Sequence, residues 1–340
     1  MDPVHFLFYG GSGPVYRRMA PAFPHQKNGT VFDEDATSDE GWLVFCNANS
    51  APVATRIPRE RRIFVVKEPS PMCHYPASYV NQFGLVVSPF AIQGCTNRWF
   101  QSHPGLPWLF GAVYGTGNSW EPTFTYTELA NLSPPEKANA LSVVVSNKVF
   151  HAGHRKRLAF IDQLRNRLGD RLVVFGRGIR EVKDKAETIL PMACHLAMEN
   201  TIEPSYWTEK LSDAYLGYAF PVYSGCPDVS EWFPPDSMLQ IDIDRPAEAI
   251  RQIVDALDGE LWRHRRAKVM EARRRVLETE TVFDVITRAI RSVPRDAGAG
   301  GALSTPEIVQ PIERKSLFNR IPRELHRIYQ QCRRAIGGGR

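Results

Sequence analysis

An α/β architecture of two doubly wound domains is what this sequence predicts, and three observations carry that expectation. Short, continuous apolar runs recur between loops through the first part of the chain. A Pro-rich break follows at Leu132-Ser133-Pro134-Pro135. Beyond it, strand and helix patterns alternate more clearly. Continuous apolar runs suit parallel strands covered on both faces. Strand–helix alternation implies right-handed crossovers, with a ligand cleft at the carboxyl ends of the strands. The length of 340 residues suits about two domains, and 43% hydrophobic against 23% charged residues indicates a packed core.

In the first part, VHFLFYGG (4–11), WLVFCNA (42–48), RIFVVKEP (62–69) and GLVVSPF (84–90) read as buried strands. Residues 100–135 are rich in Pro, Gly and Trp and read as loop. In the second part, LSVVVSN (141–147) reads as a strand. The following HRKRLAFIDQLRNRL (154–168) places Leu158, Ile161, Leu164 and Leu168 on one helical stripe. RLVVFG (171–176), HLAM (195–198), AFPVYSG (219–225) and SMLQID (237–242) read as further strands. TEKLSDAYLGY (208–218) reads as a helix, as do 246–257, 259–279 and 281–293. Residues 294–306 have a linker composition. The closing IPRELHRIYQQCRRAI is a cationic amphipathic pattern. The expected organisation is an N-terminal domain at 1–135, a C-terminal domain at 136–294, and a linker with a basic tail at 295–340.

The formal net charge is +5, and the segment from Glu307 to Arg340, with eight basic and three acidic residues, accounts for it. The remainder is close to neutral, which argues against a nucleic-acid partner. The tail suits a peripheral contact of 321–340 with an anionic membrane surface. Cys46, Cys73, Cys95, Cys194, Cys226 and Cys332 form no CxxC or metal-ligand spacing. Several lie in apolar runs, which suits reduced thiols and a cytoplasmic location. The first residues, MDPVHFLFYGGSG, have neither signal-peptide nor membrane-span character.

The densest chemistry lies in MENTIEPSYWTEKLSDAYLGYAFPVYSG (198–225). Thr208 is placed to cap the helix that follows, leaving backbone N–H groups at the cleft. A helix N-terminus attracts diphosphate. Lys210 in the first turn opposes the helix dipole, which makes sense if an anion binds there. Glu209 suits the vicinal hydroxyls of a ribose.

The order Glu199-Asn200, a short variable stretch, Tyr206-Trp207-Thr208-Glu209-Lys210 and then GYAFPVYSG resembles the signature of the family 10 α-1,3/4-fucosyltransferases of bacterial type. Met198 stands where that family often has Phe. The resemblance covers about Ser142 to Asp242 and fades over the N-terminal half. It implies a GT-B fold, two Rossmann-like domains facing a cleft, here followed by a C-terminal amphipathic helix. It further implies an inverting transfer of L-fucose from GDP-fucose to a glycan or glycolipid acceptor of the bacterial surface, of the lipopolysaccharide type. By that resemblance Asn200, Tyr206, Glu209 and Lys210 are donor contacts. Arg157, with Arg155 as the near alternative, is the arginine that opens the helix after the first C-domain strand. Glu68, after the strand RIFVV, is the counterpart of the catalytic base. Fixed positive charge stabilises a departing diphosphate, and a carboxylate in reach takes the acceptor proton. No cofactor is required, and a divalent metal is optional at most. A different nucleotide-sugar donor, or a sugar-nucleotide-binding protein without catalysis, remain the rival readings.

Other features read as ordinary structure. Gly10-Gly11-Ser12-Gly13 matches neither GxGxxG nor Walker A and reads as a turn. Asp33-Glu34-Asp35 and Asp242-Ile243-Asp244 read as solvated carboxylates. His74, His151, His154 and His195 have no ligand spacing. Gly176-Arg177-Gly178 with Lys183 and Lys185 reads as a basic loop near the donor or a solvated charge run.

Overall fold

The computed structural model describes residues 2–115, 117, 119–145, 152–176, 178–294 and 301–312, with the backbone alone at 152–155. Two sheets organise it. The N-terminal sheet has seven strands in the order His25–Lys27, Thr30–Asp33, Val4–Phe8, Trp42–Cys46, Arg62–Val65, Leu85–Ser88 and Arg98–Gln101. It is parallel except for the edge hairpin formed by its first two members. The C-terminal sheet has five parallel strands in the order Leu172–Phe175, Ala138–Val144, Met192–Met198, Phe220–Ser224 and Leu239–Gln240.

Every residue of Trp42–Cys46, Arg62–Val65 and Leu85–Ser88 is buried. Their unbroken apolar runs arise because side chains alternate between two covered faces. On one face Val44, Cys46, Ile63 and Val65 join an apolar core that continues into the C-terminal domain. On the other, Leu43, Phe45, Phe64 and Val86 meet Tyr75, Tyr79 and Phe83.

The C-terminal sheet order creates a topological switch. The first strand, Ala138–Val144, connects outward to Leu172–Phe175, and the chain then returns to Met192–Met198 on its other side. A switch point of this kind places a crevice at the carboxyl ends of those two neighbours. The helix Ala152–Leu168 follows the first, and Glu199 follows the second. Ile161, Leu164 and Leu168 are buried, as is Phe160, while Leu158 packs at the core edge. Gly176 lies beside this crevice at φ 137°, and a Cβ there would stand 1.7 Å from the carbonyl oxygen of Val145.

Several expectations need correction. Residues 100–135 are not plain loop. They hold the strand pair Ala112–Tyr114 and Trp120–Pro122, and a helix, Tyr126–Asn131, closed by a Thr125–Glu128 capping box. The stretch 259–279 is two helices, Leu261–His264 and Arg266–Glu278, with Glu260 in a left-handed conformation. The last strand shrinks to Leu239–Gln240, preceded by a 3-10 turn at Pro235–Ser237.

The chain also crosses back. Helix Val282–Arg291 covers the N-terminal sheet, with Phe283 against Phe6, Phe32 and His25 at ring separations of 5.4, 5.3 and 5.4 Å. Lys27 bonds Asp284, an N-cap partner of Thr281. Residues 301–312, expected as linker and the start of the tail, instead line the N-terminal domain. Glu307–Val309 pairs antiparallel with Val53–Thr55, Glu307 bridges Arg62 at 2.7 Å, and Val309 and Ile312 seal the second core. The basic amphipathic tail at 321–340 lies outside the described residues. No described helix is long and apolar enough to cross a membrane.

Candidate active site

The signature stretch folds around one buried carboxylate, Glu199. Its strand neighbour Ser224 bonds the Glu199 backbone, and its side chain has no solvent exposure. Glu199 accepts from the Thr208 N–H at 2.8 Å and from the Thr208 hydroxyl at 2.8 and 3.0 Å. It also accepts from Lys210 Nζ at 3.2 Å. Thr208 Oγ1 in turn accepts from the Lys210 N–H, capping helix Glu209–Leu216. The loop therefore ends in a helix N-terminus whose position is set by a charge that burial would forbid without partners. Gly225 abuts this hub, since a Cβ there would come within 2.5 Å of Glu199 Cγ and 2.4 Å of the Tyr223 hydroxyl.

Lys210 is thus ion-paired rather than free. Its ammonium lies 3.0 Å from Thr208 Oγ1 and 3.4 Å from Glu209. Burial opposes its charge, but Glu199 and Glu209 override that and hold it above the ordinary lysine range. Glu209 is also resisted by burial, yet Lys210 and Lys185 pull its carboxyl down to about 2. Lys185 stands 3.8 Å from Glu209 and 2.7 Å from Asp213, one helical turn further along. Asp213 is fully buried, raised by desolvation, and accepts from the N–H groups of Leu109 and Phe110 at 2.9 Å each.

Across the topological switch, Arg157 Nη1 donates to Asn200 Oδ1 at 2.6 Å. Its Nε is buried and has no partner among the described residues. Burial lowers its basicity, and Glu199 restores part of it. Arg155, the alternative arginine, has no described side chain. His151 also lies outside the described residues.

Glu68 follows the strand Arg62–Val65 and keeps solvent access, with Glu209 and Lys210 close enough for their charges to reach it. It makes no hydrogen bond or ion pair with a described residue. Lys67 does not pair with it: Lys67 turns inward, donating to Ser12 Oγ at 3.0 Å and lying over the Tyr16 ring at 4.5 Å. Burial pulls Lys67 down to about 8. Desolvation raises the Glu68 carboxyl above its ordinary 4.5, and of its charged neighbours Lys67 and Lys210 lower it while Glu209 raises it. Tyr206 bridges the seam beside it, buried, with its hydroxyl 3.5 Å from the Lys67 carbonyl. Ser70 N–H adds a second tie, to Glu203 at 3.2 Å.

The structure therefore brings Arg157, Asn200, Glu209 and Lys210 together at the C-domain strand ends, with Tyr206 of the same stretch reaching the Lys67 carbonyl and Glu68 on the N-domain side. Sequence reasoning missed Glu199 as the hub and Asp213 as a partner of Lys185. Lys185, read from the sequence as part of a basic loop near the donor or a solvated charge run, stands beside Glu209 in the structure. The helical spacing of Glu209 and Asp213 was a signal for Asp213. The Asp-x-Asp runs are tied up locally: Asp33 bonds His5 and the Asp35 N–H, while Asp242 and Asp244 pair with Arg245 and Lys156. His195 is buried against Ser142 at 2.8 Å. Two surface hollows of about 340 Å³, one around Asp2, Glu40 and Arg61 and one around Gln240, Asp242 and Arg245, contain none of the candidates.

Residues 134–266 match the family model for the glycosyltransferase family 10 (fucosyltransferase) C-terminal domain. That match spans the capped helix, the buried glutamate and the switch-point arginine. Over this segment the chain is similar to the C-terminal domain of family 10 glycosyltransferases. The chain is also similar to an α-(1,3)-fucosyltransferase of Helicobacter pylori, 28% identical over 124 residues. Those residues are 30% of this chain and 26% of the relative, so the alignment spans about a quarter of that protein's length. Among solved structures, an α1,3-fucosyltransferase with GDP-fucose is similar at a TM-score of 0.42 and 18% identity, covering 74% of this chain and 82% of that one. A GtfA/B complex gives 0.41 at 9% identity, covering 78% and 58%.

Proposed function

We propose that the protein transfers L-fucose from GDP-fucose to a glycan hydroxyl by a single inverting displacement. The observation that carries this reading is the pairing across one seam of an unpaired carboxylate, Glu68, with the cationic helix mouth at Arg157 and Lys210. Arg157 Nε has no hydrogen-bond partner among the described residues, which leaves this donor to an anion that reaches it. A guanidinium fork and a helix N-terminus suit a diphosphate. Glu209, kept ionised, suits the ribose hydroxyls, with Asn200 and Tyr206 bordering the sugar side.

In that reaction, the acceptor oxygen loses its proton to Glu68 and forms the new bond to the anomeric carbon. The bond from that carbon to the diphosphate breaks on the opposite side, so configuration inverts. Positive charge at Arg157 and Lys210 meets the charge that develops on GDP, so this reading needs no metal. The donor chemistry fits a cytoplasmic location, and the five described cysteines are unpaired. A bacterial surface glycan is the proposed acceptor class, and membrane contact by 321–340 belongs to the same proposal.

The test is calorimetry with GDP-fucose, other GDP-sugars and UDP-sugars, followed by turnover assays on wild type and Glu68→Gln. GDP-fucose binding by both, with transfer by wild type alone, supports the reading. Binding without turnover for any acceptor, or preference for a UDP-sugar, would replace it.

A further inference from the structure

The rings of Tyr114 and Trp120 stand outside both apolar cores. They sit directly opposite each other in the strand pair Ala112–Tyr114 and Trp120–Pro122, and so on one face of it. The rings meet edge to face, 5.3 Å apart at 71°. Tyr114 is 53% exposed, and neither ring belongs to an apolar core. Neither the Tyr114 hydroxyl nor the Trp120 indole N–H has a partner among the described residues. An exposed Tyr114 ring braced edge to face by a half-buried Trp120, outside both apolar cores, points to a ligand.

The base of this hairpin is held by buried charges from both domains. Arg18 of the N-terminal domain donates to the carbonyls of Trp108 at 2.5 Å, Phe110 at 2.9 Å, Phe124 at 3.2 Å and Gly111. Asp184 of the C-terminal domain accepts from Gly111 N–H at 2.9 Å and from Thr123 Oγ1 at 2.5 Å. Asp213, on the helix that begins at Glu209, holds Leu109 and Phe110. The hairpin is thus a rigid arm fixed at the domain seam.

Its position relative to Glu68 follows from a short chain of bonds. Trp120 N–H donates to the Gly11 carbonyl at 2.9 Å. Ser12, the next residue, receives Lys67 Nζ, and Lys67 precedes Glu68. The aromatic pair therefore belongs to the same strand ends as the proposed base.

We propose that Tyr114 and Trp120 form an acceptor subsite that stacks on the C–H face of a pyranose ring. This rests on the transferase reading above and names the acceptor class for it: a saccharide presenting an apolar ring face, with hydroxyls that bond the Tyr114 hydroxyl and the indole N–H. Aromatic rings supply apolar area at low conformational cost and a polar edge for hydroxyls.

Saturation-transfer NMR on the full chain with GDP present tests it, using methyl β-D-galactopyranoside, methyl β-D-glucopyranoside and lactose as probes. At least one probe should receive saturation on its ring C–H protons. Tyr114→Ala and Trp120→Ala should each weaken that binding by about tenfold, while GDP affinity, measured on the same samples, reports that the variants are folded. Because Trp120 is half-buried, Tyr114→Ala is the deciding variant. No transfer to any probe, or equal transfer to wild type and Tyr114→Ala, overturns the subsite. If GDP binds normally in that case, the transferase reading survives. If GDP does not bind but the probes do, the subsite stands and that reading fails.

Discussion

The Glu199–Lys210 pair has a consequence for how Lys210 is tested. Lys210→Ala removes a cation from the proposed diphosphate site, but it also leaves a buried carboxylate with one partner fewer. Breaking a buried pair costs about 3–5 kcal/mol at full burial, and less here because Lys210 retains 25% side-chain exposure. Lys210→Ala should therefore lose GDP binding and melt earlier. The double variant Lys210→Ala/Glu199→Gln should recover most of the stability, since a neutral amide oxygen still accepts from Thr208, and should not recover GDP binding. Thermal unfolding beside calorimetry reads both, and recovery of binding in the double variant would remove Lys210 from the site. Glu68 gives a pH prediction. A base must be deprotonated, and desolvation raises this one, so transfer should fall on acidification through a midpoint above the ordinary 4.5. A limb at or below that value would point to a different base. Glu209 works in the opposite direction. Its folded-state value of about 2 lies below the ordinary 4.5, so its contribution to stability is full above 4.5 and lost as pH falls toward 2. Glu209→Gln should flatten that part of the stability profile measured by denaturant melts.

At the level of elements, the capped helix Glu209–Leu216 is where sequence and structure agree most closely. Thr208 could be read as its cap because Thr accepts from the first-turn N–H groups, and it does so. What the local pattern could not show is that the same hydroxyl donates to Glu199, because the intervening loop brings together residues far apart in sequence. Thr208→Val removes the cap and the Glu199 hydrogen bond together, and should cost about 1–2 kcal/mol in equilibrium unfolding. Gly225→Ala should act through sterics: its Cβ would meet Glu199 Cγ at 2.5 Å, so GDP affinity should drop more than stability. An unchanged affinity would show that the hub has slack. The hairpin at 112–122 was illegible for a different reason. Its strands are three residues each, too short for alternation to register, and they are held by Arg18, Asp184 and Asp213 from distant segments.

For the whole molecule, the buried strands and the helix Ala152–Leu168 were legible because unbroken apolar runs and a 3.6-residue stripe follow from burial alone. The partner of each apolar face was not. A helix at 281–293 could be read from its pattern, yet nothing local says that Phe283 packs on Phe6 and Phe32 of the other domain. Residues 301–312 have linker composition and still add a strand to Val53–Thr55, because unpaired backbone at a sheet edge is satisfied by whatever chain can reach it. These two returns fasten the domains that form the seam. Phe283→Ala should cost about 3–5 kcal/mol, and turnover should fall through loosened domain placement while GDP affinity holds. The proposed site itself is split the same way. Its cationic half was readable from two stretches of the C-terminal half, 154–168 and 198–225, whereas Glu68 reaches it only through the assembled seam. A crystal structure of the protein with GDP bound would decide the matter. The diphosphate should lie between Arg157 and the N-terminus of helix Glu209–Leu216, within hydrogen-bond reach of Arg157 Nε and Lys210 Nζ, with Glu68 facing the open acceptor side. GDP seated away from both cations would contradict the proposed site.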